Sequence, residues 1–217
     1  TVVNQSGLIE TVGSGTPRID FEGNTKGALL LEPQRTNLIP YSEDFSNVGW
    51  TKSNVTLTSG FASPSADSPL GAYLLVPNTS NNFHYIQSNN GGNLSGSGYN
   101  MSFFVKPNGY NFVRVFNQIA GIGVDIDIVN EVVSNKNIEI GDVTIKQYGD
   151  WKRIQVEYIG SRTFSYLAIQ PMPSALSGAT FVGDGTSGVY IFGAQLEVGS
   201  YATSYIPTSG QSGGVTR

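Results

Sequence analysis

Histidine and cysteine, two residue types that often perform catalysis, are nearly absent from this 217-residue chain. His84 is the only histidine and cysteine is absent, so a zinc site built from these ligands is not expected. A serine-type catalytic site would need His84 beside a hydroxyl and a carboxylate. Because a lone histidine is more often a hydrogen-bonded structural residue, we expect no nucleophilic chemistry through His84.

Asp125 and Asp127 are candidates for a pair of catalytic carboxylates. Glycoside hydrolysis needs two acids about 5–9 Å apart on either side of the bond that breaks. Residues i and i+2 of a strand share a face and lie roughly 7 Å apart, but both then project from the same strand. We therefore expect a solvated strand face or a calcium contact here, and we do not expect an enzyme.

Aromatic and aliphatic side chains alternate over residues 110–118. Val113 and Val115 share one face of the predicted strand, and the opposite face carries Tyr110, Phe112, Arg114 and Phe116. Large rings on one face are not expected to lie bare, since exposed apolar patches usually mark an interaction site. This row contacts a ligand, or it packs beneath another segment or a neighbouring protomer.

Two further segments repeat the alternation. In 163–170, Leu167 and Ile169 share a face opposite Tyr166 and Gln170. In 151–159, Ile154, Val156 and Tyr158 are predicted to be core, and Trp151 and Arg153 are predicted to face away. Aromatic rings offer flat apolar faces while Arg and Gln tips bond hydroxyl groups. The predicted ligand-binding residues are Tyr110, Phe112, Arg114, Trp151, Tyr166 and Gln170, with Tyr85 and Gln87 as second choices.

The elements that would position these residues are short strands. Segments of five to nine residues alternate with period two between Gly, Asn, Pro and Ser clusters, which is typical of a sandwich or barrel. We predict an all-β jelly-roll sandwich of two antiparallel sheets. Its strands are 36–41, 51–58, 70–77, 82–88, 99–106, 110–118, 121–129, 137–148, 151–159, 163–170 and 188–198.

The chain is predicted to have three parts. Residues 1–35 form an N-terminal arm that packs on the sandwich edge or on a neighbour, with an apolar strand from Gly27 to Glu32. Residues 36–207 form the sandwich, and 208–217 form a C-terminal linker. The polar start, without a signal peptide, and the Gly/Ser-rich end indicate a fragment of a longer polypeptide.

Charge is sparse. Charged residues make up 13% of the chain and the net charge is −4, whereas about 25% charged residues is typical. No basic run is present, so nucleic acid is not an expected partner. No apolar run approaches about 18 residues, so no membrane span is expected. A neutral surface rich in hydroxyl and amide groups suits uncharged polar ligands.

Two strings resemble known proteins. EPQRTNLIPYSEDFSNVGW (32–50) resembles a segment of many phage tail-fibre and tail-spike proteins, and GVYIFGAQLEVGSYATSYIPTSG (188–210) resembles their closing segment. Between them, SFFVKP (102–107) and WKRIQVEY (151–158) fall where that family has its "YVK" and Trp-x-Arg strands. The likeness covers nearly all of the chain.

The opening NLIPYSEDFSNVGW also resembles the start of family 4/9-type carbohydrate-binding modules. That resemblance implies a jelly roll that binds glycans on a concave face or at loop tips, with a structural calcium. The chain departs from the pattern, because Ser46 follows Phe45 where the family has Glu, and Gln195 replaces an Asp. The remaining candidates for calcium ligands are Glu43, Asp44 and Glu197.

These resemblances imply a non-catalytic carbohydrate-binding module of a phage fibre or another virion surface protein. It would recognise a host-surface or environmental glycan, from the virion surface or outside cells. A homotrimer or an array would raise its avidity. Two alternatives stay open: a purely structural virion module that mediates protein assembly, and an accessory domain of a polysaccharide-degrading enzyme.

Overall fold

The computed structural model describes residues 1–89, 98–117, 122–159, 167–176, 179–211 and 215–216. In these ranges the chain forms strands, turns and loops, and no helix. No membrane-spanning helix is found in this described part of the chain. The all-β prediction is confirmed.

The strands are short in the arm and longer in the sandwich. The arm contains β1 (Val2–Val3), β2 (Ile9–Glu10), β3 (Ile19–Asp20) and β4 (Ala28–Leu29). The remaining strands are β5 (Thr36–Asn37), β6 (Trp50–Ser53), β7 (Val55–Phe61), β8 (Ala72–Pro77), β9 (Asn81–Asn82), β10 (Tyr85–Ser88), β11 (Tyr99–Asn108), β12 (Phe112–Asn117), β13 (Ile122–Asp127), β14 (Val132–Ser134), β15 (Ile140–Tyr148), β16 (Trp151–Tyr158), β17 (Leu167–Met172), β18 (Phe181–Val182), β19 (Gly188–Val198) and β20 (Val215–Thr216).

Two six-stranded antiparallel sheets form the sandwich. The front sheet has the strand order β14-β13-β12-β17-β10-β6, and the back sheet has the order β15-β16-β11-β19-β8-β7. The chain passes repeatedly between the sheets: β10 lies in front, β11 behind and β12 in front again. This arrangement confirms the predicted jelly-roll sandwich.

The core between the sheets is built from the predicted aliphatic rows. Val113 and Val115 of the front sheet have no exposed surface, and neither do Ile154 and Val156 of the back sheet. All four belong to one cluster of buried apolar side chains. Because alternate residues of a strand point to opposite faces, their strands must carry a second row on the outside of the sandwich.

The segment predicted as one strand over 51–58 is two strands. β6 pairs with β10 in the front sheet, and β7 pairs with β8 in the back sheet. Between them, Asn54 has a φ of 54°, a left-handed conformation that Asn tolerates better than most residues. The chain therefore changes sheets at Asn54, and this change is not apparent from alternation alone.

The arm packs against the outer face of the back sheet. Val3 and Ile9 are buried in a second apolar cluster with Phe104, Trp151 and Tyr205. The predicted strand over residues 27–32 is wrong, because β4 ends at Leu29 and Leu31 is 81% exposed. The buried apolar side chains of the arm are thus those of β1 and β2.

Residues 199–209, the closing strap, are also fixed on the sandwich. Ser42 and Thr208 exchange hydrogen bonds, from the Ser42 amide to Thr208 Oγ1 at 2.9 Å and from the Thr208 amide to Ser42 Oγ at 2.8 Å. Beyond the strap, Val215 and Thr216 pair with Asn37 and Thr36. Parts of the predicted C-terminal linker therefore contact the sandwich.

Candidate functional site

The predicted ligand residues separate onto different surfaces. Phe112, Arg114 and Gln170 lie in the front sheet, together with Tyr85 and Gln87. Their strand neighbours Val113, Val115 and Ile169 fill the core, so these five side chains point to the outer face of the front sheet. We call this surface the front face.

The register of the strands brings these residues together. Arg114 pairs with Gln170 on one side and with Asp125 on the other. Gln87 pairs with Ala168, which in turn pairs with Phe116. The rings of Tyr85 and Phe116 meet edge to face, with centroids 5.6 Å apart.

Two glutamines of the front face have amide atoms without partners. Gln170 has no exposed surface and Gln87 is 6% exposed. Among the described residues, Gln170 Oε1 and Nε2 and Gln87 Oε1 form no hydrogen bond. A buried polar group without a partner is destabilising by about 1–3 kcal/mol, so each such atom needs a partner that the described residues do not supply.

Arg114 brings no unpaired charge to this face. Its Nη1 donates to Asp125 Oδ1 at 2.5 Å, and Asp125 Oδ2 accepts from Asn135 Nδ2 at 2.8 Å. Gly123 makes room for the guanidinium, because a Cβ there would lie 2.6 Å from Arg114 Nη2. The ion pair compensates the charge of Arg114 on the front face.

Phe112 and Phe116 are only half buried and form the accessible part of the front face. The glutamine amides lie deeper, so a ligand that reaches them must displace side chains at the rim. Phe116 belongs to the predicted aromatic row but is not among the predicted ligand residues. Only the pairing of β12 with β17 shows that Phe116 lies beside Gln87.

The placement of Tyr110 on this outer row is corrected by the structure. Tyr110 is 7% exposed, belongs to the core between the sheets, and packs edge-on against Phe181 at 6.1 Å. β12 begins at Phe112, so the alternation that placed Phe112 and Arg114 does not extend back to residue 110.

Trp151 lies on the opposite side of the molecule from Phe112. It faces away from the core as predicted, but in the back sheet, where the arm covers it and leaves 6% of it exposed. The two residues therefore cannot belong to one platform. Tyr166, the remaining predicted ligand residue, lies outside the described residues.

The other candidates for chemistry have structural partners. Asp127 accepts hydrogen bonds from the amides of Val129 and Asn130 and so closes a turn. His84 is fully buried, with Nδ1 2.8 Å from the Asn54 carbonyl oxygen and Nε2 2.9 Å from that of Phe181. Within the described residues, these hydrogen bonds give both side chains a structural role.

An open cleft of about 420 Å³ is lined by Glu43, Asp44 and Asp67. Glu43 accepts hydrogen bonds from Ser68 Oγ at 2.8 Å and Tyr205 Oη at 3.1 Å. Burial raises the pKa of Glu43, and the charge of Asp67 adds to the rise, against the effect of those two hydrogen bonds.

The third predicted calcium ligand lies elsewhere. Glu197 is fully buried and accepts hydrogen bonds from the Thr203 amide at 2.9 Å, Thr203 Oγ1 at 2.6 Å and Gln195 Nε2 at 2.7 Å. In the ranges that the structure describes, no three acidic or histidine side chains are grouped as metal ligands. Calcium binding stays a prediction.

Comparison with known proteins finds solved structures that resemble this fold, including three sugar-related ones. No family model and no curated protein sequence matches the chain. A Clostridium thermocellum endo-1,4-β-D-xylanase structure with CBM22-1 and GH10 modules, complexed with xylohexaose, aligns with a TM-score of 0.42 at 16% identity. That alignment covers 82% of this chain and 30% of the xylanase, so the chain spans less than a third of its length.

Two smaller proteins align similarly. The CBM22-1 xylan-binding domain of Paenibacillus barcinonensis gives a TM-score of 0.40 at 11% identity, covering 76% of this chain and 94% of the domain. A putative sugar-binding protein from Bacteroides thetaiotaomicron gives 0.41 at 12%, covering 75% and 100%. Likenesses at these scores carry no argument about ligands or residue roles.

Proposed function

We propose that this protein is a non-catalytic carbohydrate-binding module whose ligand occupies the front face. The observation that carries the proposal is the pair of buried glutamines, Gln87 and Gln170, whose amide atoms lack partners beside the half-buried rings of Phe112 and Phe116. Sugar hydroxyls both donate and accept hydrogen bonds, as amides do, and pyranose C–H faces pack on aromatic rings.

The front face favours an uncharged glycan. Arg114 is its cationic residue, and Asp125 already neutralises it. A carboxylate or phosphate ligand would find no free positive charge there and would leave its own charge uncompensated. A hydroxyl-rich polysaccharide has no such penalty.

We further propose that the module is displayed outside cells, on a phage fibre or another virion surface. The support is the resemblance of residues 32–50 and 188–210 to segments of phage tail-fibre proteins. Single sites of this size bind weakly, so a trimer or an array would supply the affinity through effective concentration. Such a module works by adsorption and not by turnover. The same chemistry would serve an accessory domain of a polysaccharide-degrading enzyme.

A structural role in assembly is the second candidate. The observation in its favour is an exposed apolar strip on the arm, formed by Ile19, Leu29 and Leu31. However, the arm buries its own Val3 and Ile9 against the back sheet of the same chain. It therefore does not need a neighbour to cover those residues.

Affinity electrophoresis in gels containing neutral xylans and β-glucans tests the proposed function. We expect the wild-type protein to be retarded, and Gln170→Ala and Phe112→Ala to lose at least tenfold in affinity. Leu31→Ala, at a residue 81% exposed on the arm, is the matched control and should bind normally. Retardation by no polysaccharide, or full binding by both front-face variants, would refute the proposal.

A further inference from the structure

The edge of the back sheet at β7 has little protection against pairing with another strand. Edge strands carry unpaired N–H and C=O groups, and proteins commonly shield them with charged residues, proline, bulges or a short length. β7 spans seven residues, Val55–Phe61, and none of them is charged or a proline. Its one irregularity lies between Thr58 and Phe61, so the regular pairing with β8 includes residues 55–58.

The other edges of the two sheets carry such protection. At the opposite edge of the back sheet, β15 has the exposed charged residues Asp142 and Lys146. In the front sheet, β6 has four residues including Lys52, and β14 has three. Among the sheet edges that the structure describes, β7 is therefore the one that combines length with an absence of charge.

The pairing with β8 determines which backbone groups of β7 point outward. The Asn78 amide donates to the Asn54 carbonyl oxygen at 2.9 Å, and the next pair along the strands is Val55 with Pro77, which has no N–H. In antiparallel strands, pairs that exchange hydrogen bonds alternate with pairs that do not. The N–H and C=O groups of Val55 therefore point away from β8, towards the free edge.

The alternation continues along β7. Thr56 and Thr58 occupy the positions that bond to β8, whereas Leu57, like Val55, turns its N–H and C=O groups to the free edge. In the ranges that the structure describes, no hydrogen bond outside the sheets involves the backbone of Val55 or Leu57. The edge thus presents a donor and an acceptor at each of two residues that are two positions apart.

This pattern is complementary to itself. A second β7, antiparallel to the first and centred on Thr56, places Val55 opposite Leu57 of the second copy, and each such pair exchanges two hydrogen bonds. The side chains of Val55 and Leu57 pack on the core, whereas Thr56 is exposed on the outer side. The two Thr56 side chains then lie opposite each other, a favourable cross-strand pair, and no like charges meet.

We propose that two copies of this chain pair through β7 into a two-fold symmetric dimer whose back sheets form one continuous sheet. Such a contact uses the same patch on both copies, as is usual in homodimers. Because the symmetry axis is normal to the sheet, both front faces point to the same side of the dimer. The benefit of this arrangement rests on the proposed function, since two front faces could then bind one polysaccharide surface with increased avidity.

Sedimentation velocity without polysaccharide tests the dimer independently of glycan binding. Over a roughly hundredfold range of protein concentration, we expect the wild type to shift from monomer to dimer. Thr56→Lys should raise the dimer Kd at least about fivefold, because it places like charges opposite each other at the symmetry axis. Thr144→Lys, at an exposed threonine of the opposite edge strand β15, is the matched control and should dimerise as the wild type does.

A charge-reversal pair separates this contact from a general effect on folding. Thr56→Glu should weaken the dimer as Thr56→Lys does, since it also brings two like charges together. An equimolar mixture of the two variants should restore the dimer, because each lysine then lies opposite a glutamate. Damage to the fold by either substitution would not be reversed by mixing.

Hydrogen exchange in the wild-type protein tests the predicted direction of the backbone groups without any substitution. The Leu57 amide should exchange more slowly as the protein concentration rises, whereas protection of the Thr58 amide, which bonds to β8, should not change. Any of four results would overturn the proposal: a wild type that stays monomeric, an oligomer that Thr56→Lys leaves intact, no recovery in the mixture, or Leu57 exchange that is independent of concentration.

Discussion

Gln170 shows at the scale of one residue how function and stability can oppose each other. It is fully buried in the middle strands of the front sheet, yet its amide has no partner in the described residues. A residue retained for packing alone would be apolar here, since the neighbouring Ala168 and Met172 on the same face are buried too. The proposed glycan would supply the partner that this amide lacks among the described residues.

Gln170→Met should therefore raise stability while it weakens glycan binding. Methionine fills a similar volume and removes two buried polar atoms that lack partners, which should stabilise the fold by about 1 kcal/mol. Urea denaturation with and without polysaccharide measures both effects. The same replacement at Gln195, whose amide bonds Glu197 and the Ile206 amide, should destabilise the fold instead. A loss of stability in Gln170→Met would argue for an unrecognised structural partner.

At the scale of elements, the arm decides which outer face of the sandwich is covered. Alternation correctly predicted that Trp151 and Arg153 point away from the core. It carried no information about the residues that pack on them, because β1 and β2 lie some 140 positions earlier in the chain. The arm and strap together turn this aromatic outer row into a second apolar cluster.

Ile9→Asp should release the arm without unfolding the sandwich. Ile9 is 3% exposed within the second cluster, and a buried unpaired carboxylate there strongly disfavours docking of the arm. Trp151 should become accessible to iodide while Trp50, in the main core, stays protected. Fluorescence quenching and hydrogen exchange of residues 1–32 measure this change. Leu31→Asp, on the exposed part of the arm, is the control, and equal exposure of Trp151 in both variants would contradict the role of Ile9.

At the scale of the whole molecule, the dependence of stability on pH should carry a contribution from Glu43. Its pKa is raised in the folded protein, mainly by burial, so the folded state binds more protons than the unfolded state near and above the ordinary pKa of Glu. By linkage, this group favours folding most at low pH, and its contribution falls as pH rises through the folded pKa.

Glu43→Gln removes that titration, so its stability relative to the wild type should increase from pH 4 to pH 7. Thermal melts across this range measure the difference between the two proteins. Asp150→Asn, at a side chain that is 83% exposed, is the control. A constant difference between Glu43→Gln and the wild type would show that Glu43 does not titrate differently on folding.

The predicted part of the site depended on local alternation. The faces of Val113 and Arg114, or of Ile169 and Gln170, follow from the period of two along one strand. The pairing of the strands does not follow from alternation. This pairing places Phe112 and Trp151 in different sheets, on opposite sides of the molecule. Tyr110 shows the limit of the local rule, because the strand that should have turned it outward begins two residues later.

The sequence by itself determined the fold class, the core rows and the sparse charge, because all three follow from composition and from neighbours within a few residues. Only the tertiary structure decided which outer rows meet, because strand pairing joins residues such as Arg114, Gln170 and Asp125 across long stretches of chain. It also decided that Arg114 forms an ion pair with Asp125, whereas Arg153 donates hydrogen bonds to Ser102 and Thr203. These distinctions depend on charges and partners that converge from separate segments, and no local pattern encodes that convergence.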